Sequence, residues 1–592
     1  MWKKQGQLNV RRKNRKKAIR TVLQLAVLIW IGWLIFQAVN HVRTYEEPER
    51  AAWTNQDGFI ALSYFGVGRT GTAKLVDNDL MEEHLLTLQE QGYVTISQQD
   101  IRNYYEQGSP LPDKALFLAF EDGRNDSALY AQSILEKLDY RATMMTYAEK
   151  MQNHERKFLR PKDLRKMLKS GYWELGTNGY RLSYINIFDY EGQFLGVLSD
   201  SEMKKQQDIE KIAYYNHYLM DFIRDDRMVP VENREEMFER IDRDYALLEQ
   251  DYAKAFGDVP DVYMIMHANT VYGGMNRLVE EANVRNIERL FPVHFNREGT
   301  AYNTGTDSPH NLTRLQVAPY WYTNHLLMKI QKDTGEPVIF VTGDEKRARQ
   351  WATVSGAAQF IHERIVLTSP PGETGRLVLQ DSEAAGNIRL TADLAGNVVG
   401  HQAIQIRYDQ EQDTYLRVGI LDNRLRVEQK APGQAQAHLL LEQELGEVHW
   451  KSEDLAFDKA SVYTREQTAA GAAIAYEDGQ IPINIQQKRQ LDVLLLGDRL
   501  TIAIDGETWV EGLEIDAGLQ GSGIALEARY SEQNRKDDIY DAVFDRLAVA
   551  SVHDQGEVAE ELYSNKLTGI SKVRRAIANQ VNALVDWSIE AF

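Results

Sequence analysis

The feature that most constrains the fold is a long alternation of short apolar runs with amphipathic segments between residues 56 and 345. Short apolar runs bounded by turn residues are typical of buried strands, and the segments between them have helical spacing. Strand and helix in repetition predict a parallel sheet, and six or seven repeats favour a closed (β/α) barrel over an open sheet. The predicted strands are Gly58–Phe65, Ala115–Asp122, Ala142–Ala148, Tyr172–Thr177, Val262–Ala268, Leu290–Phe295 and Val338–Gly343.

The pattern changes after this region. Residues 348–552 lose helical spacing and show strand pairs joined by tight turns, which predicts an antiparallel β-sandwich. Its clearest turns are Asp422-Asn423, Gly497-Asp498 and Asp505-Gly506. Residues 557–592 return to apolar spacing of three and four, which predicts a C-terminal amphipathic helix. Such a helix packs on its own domain, or docks on a membrane partner or the bilayer surface.

The N-terminus has the composition of a membrane anchor. Residues 1–20 carry nine Lys or Arg and no acid, and Val22–Val39 is an uncharged stretch of eighteen residues. At ~1.5 Å per residue such a helix nearly spans a hydrocarbon core of ~30 Å. We therefore expect a basic cytoplasmic segment at 1–20 and an uncleaved transmembrane signal anchor at 21–40. The expected location is the plasma membrane, single pass, with the bulk of the chain outside. The alternative is a cleaved signal peptide.

Charge and cysteine content narrow the class of protein. The chain has a formal charge of −19 and residues 1–20 contribute +9, so the remainder is −28. A body this acidic would repel nucleic acid, and the basic N-terminal run sets membrane topology instead. The chain has no cysteine, which excludes disulfides, thiolate metal sites and a cysteine nucleophile. An extracytoplasmic protein without disulfides fits a Gram-positive cell surface.

One predicted strand ends in two carboxylates and a glycine. In "LFLAFEDGRNDSAL" the apolar run stops at Glu121, Asp122 and Gly123, at the strand end where (β/α) barrels place their chemistry. The two acids cannot form a glycosidase pair, because such carboxylates stand ~5–10 Å apart on different elements. The sequence contains no phosphate loop, G-x-S-x-G elbow, H-E-x-x-H or EF-hand motif.

Residues 56–320 resemble the polysaccharide deacetylases of the NodB-homology type. The resemblance rests on "LFLAFEDGRNDSALYAQSILEKLDYRATMMTYAE", which is similar to the family's T-F-D-D-G strand end, its following helix and its K-A-T-F-F strand. It implies a distorted NodB-type barrel and a metal-dependent amidase ancestry. In that family one Asp and two His bind a divalent metal, usually zinc, and a second Asp is the base.

Carried over position by position, this resemblance implies an incomplete site. The metal-binding Asp falls on Asp122, and the base falls on Glu121, which is one methylene longer. The family's E-I-G-[SN]-H-[ST]-x-x-H motif falls on "ELGTNGYRLSY", so its two histidine positions are Asn178 and Leu182. An amide is a poor zinc ligand and leucine is none, so we expect no cofactor, or zinc if the domain is active.

Other histidines lie further along the chain, beyond an insertion at about residues 185–240. His267 stands at the end of the strand Val262–Ala268, where the family's later motif falls. We interpret Asn178 and His267 as substrate-binding candidates. A metal site rebuilt around Asp122 would require His294 and His310 in addition to His267. The competing interpretation is that each of these histidines is an ordinary solvated or hydrogen-bonded side chain.

The sandwich region also resembles a known class. "HQAIQIRYDQEQDTYLRVGILDNRLRVEQ" and "VFDRLAV" are similar to concanavalin-like, laminin-G-type jelly rolls, which accompany carbohydrate-active domains and bind glycans or act as spacers.

These features predict a membrane-anchored, extracytoplasmic protein of surface or exopolysaccharide metabolism. The leading hypothesis is a catalytically degenerate deacetylase-like domain that binds or guides a glycan. One alternative is an active metal-dependent N- or O-deacetylase with a remodelled site. A second is a structural subunit of a polysaccharide synthase or export complex, with a glycosyltransferase or export component as partner.

Overall fold

The structure is a computed structural model of the 592-residue chain. It describes residues 43–152, 155–189, 192–199, 212–266, 270–382, 386–449 and 483–567. Shorter described stretches are 20–22, 24–26, 28–30, 32, 202, 384, 461–462, 481, 569 and 580.

Strands and helices alternate through the first part of the chain, as the sequence predicts. The strands are β1 (Gly58–Tyr64), β2 (Val67–Gly68), β3 (Val76–Asp77), β4 (Val94–Thr95), β5 (Ala115–Phe120), β6 (Ala142–Tyr147), β7 (Trp173–Gly179), β8 (Ser183–Asp189), β9 (Phe194–Ser199), β10 (Ile212–His217), β11 (Val262–Met264), β12 (Val293–Glu298), β13 (Tyr302–Thr304) and β14 (Leu312–Gln316). The helices are α1 (Asn78–Glu90), α2 (Gln98–Gln107), α3 (Asn125–Leu138), α4 (Ala148–Gln152), α5 (Pro161–Leu168), α6 (Arg234–Phe256), α7 (Arg277–Leu290), α8 (Thr323–Thr334) and α9 (Glu345–Ala348), and a 3₁₀ turn spans Arg50–Ala52.

Seven of these strands close into a parallel barrel. Their order is β1-β5-β6-β7-β11-β12-β14, and β14 pairs with β1 to complete the ring. Side chains alternate between two apolar layers: Phe117 and Ala119 face the lumen, whereas Leu116 and Leu118 pack under the helices. The predicted closed barrel is confirmed. All seven carboxyl ends meet at one mouth, and Glu121 and Asp122 directly follow β5 there.

One predicted barrel strand is wrong. Residues Val338–Gly343 are irregular, and Ile339 is 78% exposed, because this segment runs over α8 toward the second region. The closing strand is instead β14, "LTRLQ". Its lumen-facing residues Arg314 and Gln316 are polar, so the strand has no continuous apolar run by which the sequence could predict it.

The insertion after β7 covers the barrel mouth. Strands β8, β9 and β10 form a small sheet that we call the cap, and β24 (Ser461–Val462) pairs with β10 at one edge. Leu182, Tyr184 and Tyr215 belong to the same buried apolar cluster as the lumen residues Met145 and Met264. The lumen therefore continues into the cap as one packed core.

The second region is built from antiparallel strands. They are β15 (Trp351–Ser355), β16 (Ala357–Ile361), β17 (Arg364–Thr368), β18 (Thr374–Leu379), β19 (Ile388–Leu394), β20 (His401–Asp409), β21 (Thr414–Leu421), β22 (Arg424–Lys430), β23 (His438–Glu444), β25 (Arg489–Leu496), β26 (Arg499–Ile504), β27 (Glu507–Glu514), β28 (Gly523–Arg529), β29 (Asp541–Val552) and β30 (Val558–Ser564).

These strands form two facing sheets. One has the order β15-β18-β28-β20-β21-β22-β23, and the other β16-β17-β29-β19-β25-β26-β27 with β30 paired to β29. Leu377 and Ile404 of the first sheet share one core with Leu390 and Val493 of the second. The predicted hairpin at Asp422-Asn423 is confirmed, since both residues have positive φ (46° and 62°), as a type I′ turn requires.

Predictions at the two chain ends have different outcomes. The C-terminal helix predicted from residue 557 is wrong at its start, because Val558–Ser564 is strand β30. Tyr563 anchors this strand, since its hydroxyl accepts a hydrogen bond from Trp351 Nε1 at 3.0 Å. From residue 568 onward the prediction lies outside the described residues, save 569 and 580. The anchor predicted at 21–40 also lies mostly outside them. Within the part of the chain that is described, no helix has both the length and the apolar character needed to cross a bilayer.

Candidate functional site

The turn after β5 gives its two carboxylates different surroundings. Glu121 continues the inward series of Phe117 and Ala119, and its side chain is fully buried. Asp122 then adopts a left-handed conformation with φ 67°, and Gly123 follows with φ 62°. A Cβ on Gly123 would lie 2.8 Å from Thr146 Cγ2, so only glycine fits this approach to β6.

The Glu121 carboxylate is held inside the lumen by two side chains of β14. Arg314 Nε donates to Oε1 at 3.1 Å, and Gln316 Nε2 donates to Oε2 at 2.6 Å. Arg314 is itself only 3% exposed. The carboxylate that the family comparison assigns as base is therefore one half of a buried ion pair, with both oxygens engaged.

The Asp122 carboxylate is engaged by a lysine. Lys150 Nζ lies 3.5 Å from Oδ1 and 3.4 Å from Oδ2, and both side chains are less than a tenth exposed. The ammonium group also lies over the rings of Tyr147 (4.4 Å) and Phe158 (4.9 Å). The cation that Asp122 faces therefore belongs to the chain itself.

Asn178 ties three strand ends together. Its Oδ1 accepts a hydrogen bond from the Asp122 backbone N–H at 3.1 Å, and its Nδ2 donates to the Met264 carbonyl at 2.9 Å. The side chain is 1% exposed. Leu182, at the second histidine position, is 5% exposed within the apolar cluster that joins lumen and cap. At the two positions that bind metal in the family, this chain thus has one residue that holds strand ends by hydrogen bonds and one that packs in an apolar cluster.

Of the other candidate histidines, the two that the structure describes, His294 and His310, lie away from this site. His267 lies outside the described residues. His294 is second in β12, near the opposite end of the barrel, and faces outward, where its ring stacks on Tyr263 at 4.9 Å. Its Nδ1 is 2.9 Å from the carbonyl oxygen of His310, and burial lowers its pKa to about 3, which keeps it neutral. The His310 Nε2 contacts the Phe291 carbonyl oxygen at 2.9 Å.

The donors that the structure describes at the mouth do not fit a zinc ion. A zinc site needs three protein ligands with an open fourth position. Here Asp122 is paired with Lys150, the Asn178 amide is used at both ends, and Leu182 has no donor atom. Among the described residues no group of three or more His, Asp or Glu side chains could hold a metal ion. The two acids at this strand end are each paired with a basic side chain of the same chain.

Sequence reasoning located Glu121, Asp122 and Asn178 but missed the groups that neutralise the two acids. Lys150 follows β6 in "TYAEKM", where no motif marks it. Arg314 and Gln316 lie in β14, a strand that the apolar pattern did not reveal. The available signal was the alternation of polar and apolar residues in "RLQ", Arg314 to Gln316.

Comparison with known proteins agrees with the family resemblance. Residues 108–227 match the polysaccharide deacetylase family. A de-N-acetylase from Aggregatibacter actinomycetemcomitans is 18% identical over 46% of this chain and 100% of its own, with a TM-score of 0.35. IcaB from Ammonifex degensii is 14% identical over 47% and 98%, with a TM-score of 0.33. The carbohydrate-binding module CBM66 from Bacillus subtilis is 15% identical over 34% and 94%, with a TM-score of 0.22. No curated protein matches the chain.

Proposed function

We propose that this chain, whose barrel is a polysaccharide deacetylase-like domain, takes part in the metabolism of a surface polysaccharide or exopolysaccharide without deacetylating it. The barrel binds or guides the glycan, and the sandwich is a concanavalin-like companion domain. The observation that carries the proposal is the pair of hydrogen bonds made by the Asn178 side chain. It stands at the first histidine position of the family motif and uses both ends of its amide to join Asp122 and Met264.

The two acids support the same conclusion. Amide hydrolysis by this family needs a Lewis acid with an open position and a free base within reach of the attacking water. Freeing Glu121 for that role would leave Arg314 charged and unpaired in the lumen, and freeing Asp122 would break its buried ion pair with Lys150. Breaking a buried pair in this way costs ~3–5 kcal/mol.

Access to the site points in the same direction. Asp122 is 6% exposed, and the cap packs its apolar side chains against the lumen residues beneath it. A polymer therefore meets the outer surface of the capped barrel rather than the carboxylates. Binding and guiding a glycan requires such a surface, whereas deacetylation would require the acetyl bond of the glycan to reach the carboxylates.

The test uses the full-length chain purified in detergent. We expect no acetate release from N- or O-acetylated oligosaccharides with zinc, cobalt, manganese or no added metal, and a rise in Tm with the glycan that it binds. Metal-dependent acetate release that Asp122→Asn abolishes would establish the remodelled-enzyme alternative. No Tm shift across neutral, acidic and amino-sugar oligomers would favour the structural-subunit alternative.

The location belongs to the same proposal. The basic residues 1–20 and the apolar residues 21–40 support a single-pass anchor in the plasma membrane of a Gram-positive cell, with residues from about 40 onward outside. A glycosyltransferase or export component is the expected membrane partner. Protease added to intact cells should digest the exterior region and leave a tag at residue 1 protected. Recovery of the chain in the medium without residues 1–40 would show cleavage instead.

A further inference from the structure

Lys150 is a described side chain at the barrel mouth that the family comparison does not account for. It lies in the single turn of α4 that follows β6, so the neighbouring strand delivers it to the carboxylate that follows β5. Its Nζ is almost equidistant from the two oxygens of Asp122, at 3.4 and 3.5 Å. The ammonium group thus faces the whole carboxylate rather than one oxygen.

The surroundings of Lys150 are those of a fixed internal cation. Its side chain is 8% exposed, and the faces of Tyr147 and Phe158 lie within 5 Å of the ammonium nitrogen. Aromatic faces attract a cation through their negative quadrupole. A buried charge is tolerated only when it is paired, and Asp122 supplies the opposite charge.

We propose that Lys150 has replaced the metal ion of the ancestral site. Its ammonium group supplies, from within the fold, the positive charge that a divalent ion gives to the aspartate at this strand end. The replacement is incomplete in chemistry, because an ammonium group has no open coordination position and cannot polarise a carbonyl as a Lewis acid. The inference concerns the site of the proposed function but does not depend on glycan binding.

Metal exclusion is then a property of Lys150 and not only of the missing histidines. Restoring the two ligands with Asn178→His and Leu182→His should not create a zinc site while Lys150 remains. Adding Lys150→Ala should permit about one zinc per chain. The measurement is zinc content after dialysis of the full-length protein, with Tm recorded before and after chelation. Stoichiometric zinc in the two-histidine variant with Lys150 intact would overturn the proposal.

Because Leu182→His places a polar ring in an apolar cluster, a second measurement avoids new histidines. Lys150→Met, Asp122→Asn and the double variant form a cycle with the native chain. Each single change should lower Tm by ~5–10 °C, since it removes one member of a buried ion pair. The double variant should lose clearly less than the sum of the two. Lys137→Met, which removes a lysine that is 57% exposed, is the control and should shift Tm little.

Additive losses in this cycle would overturn the proposal, since they would show that Lys150 and Asp122 do not compensate each other. So would a Tm of the native chain that rises with zinc and falls with chelator. Acetate release is scored separately, so an active native enzyme would refute the proposed function without changing the result of the cycle.

Discussion

Inside the barrel, Glu121 and Arg314 form an ion pair from which solvent is almost excluded. Glu121 is fully buried and Arg314 is 3% exposed. Arg314→Met should therefore destabilise the fold by ~3–5 kcal/mol, because the Glu121 carboxylate would remain in the lumen with Gln316 alone. Urea unfolding of the full-length chain measures the loss.

A matched pair on the surface provides the control for this prediction. Arg285 and Asp242 pair at 2.6 Å but are about half exposed, so Arg285→Met should cost no more than ~1 kcal/mol. Combining Glu121→Gln with Arg314→Met should recover much of the loss. Equal costs for Arg314→Met and Arg285→Met would contradict the assignment of Glu121 as a buried, charge-dependent group.

The residues of the site differ in how far sequence alone could identify them. Asp122 and Asn178 were identified because each follows a recognisable strand end in a family motif. Lys150 and Arg314 act through partners 28 and 193 residues away, and no local pattern encodes such a meeting. Charge pairing across a closed barrel is a property of the folded lumen, so it was not predicted.

At the scale of elements, the turn between β5 and α3 positions the whole site. Gly123 has φ 62°, and its missing Cβ leaves room for Thr146 on β6. Gly123→Ala should destabilise by ~2–4 kcal/mol, from left-handed strain together with the steric clash. Gly108→Ala is the control: its φ is 64° and nothing lies within 4 Å of the added Cβ, so only the strain of ~1 kcal/mol applies. Thermal or urea unfolding of both variants separates the two contributions.

Strands that are apolar on both faces were predicted well, whereas strands that carry polar residues were not. Strands β1, β5 and β6 were found within two residues because they are apolar on both faces, as buried parallel strands are. Strand β14 carries lumen polar groups, and Val338–Gly343 is apolar but runs outside the barrel. Strand β30 reads "VAEELYS" and lies before Ile570, where the apolar spacing that predicts the helix begins.

At the scale of the whole molecule, one histidine joins the barrel to the sandwich. His325 on α8 is fully buried, with Nε2 2.9 Å from Asp537 Oδ2 and Nδ1 2.9 Å from Asp541 Oδ2. The ring stacks on Trp321 at 4.8 Å, and Lys329 Nζ lies 3.0 Å from Asp537. Two carboxylates of the sandwich region thus hold one imidazolium of the barrel.

This joint should weaken as the pH rises. Burial lowers the pKa of His325, but the carboxylates of Asp537 and Asp541 outweigh it and raise the pKa to about 9. A pKa above the unfolded value of 6.5 means that the added stability is complete below pH 6.5 and is lost as the pH rises through 9. Lys329 pairs with Asp537 alone of these two carboxylates, and burial holds the pKa of His84 near 3, so His84 stays neutral throughout. The Tm of the native chain should therefore fall between pH 6.5 and 9.5, and His325→Gln should have a lower Tm at pH 6.5 and a flatter profile. Parallel profiles for the two proteins would show that this contact does not carry the pH dependence of the junction.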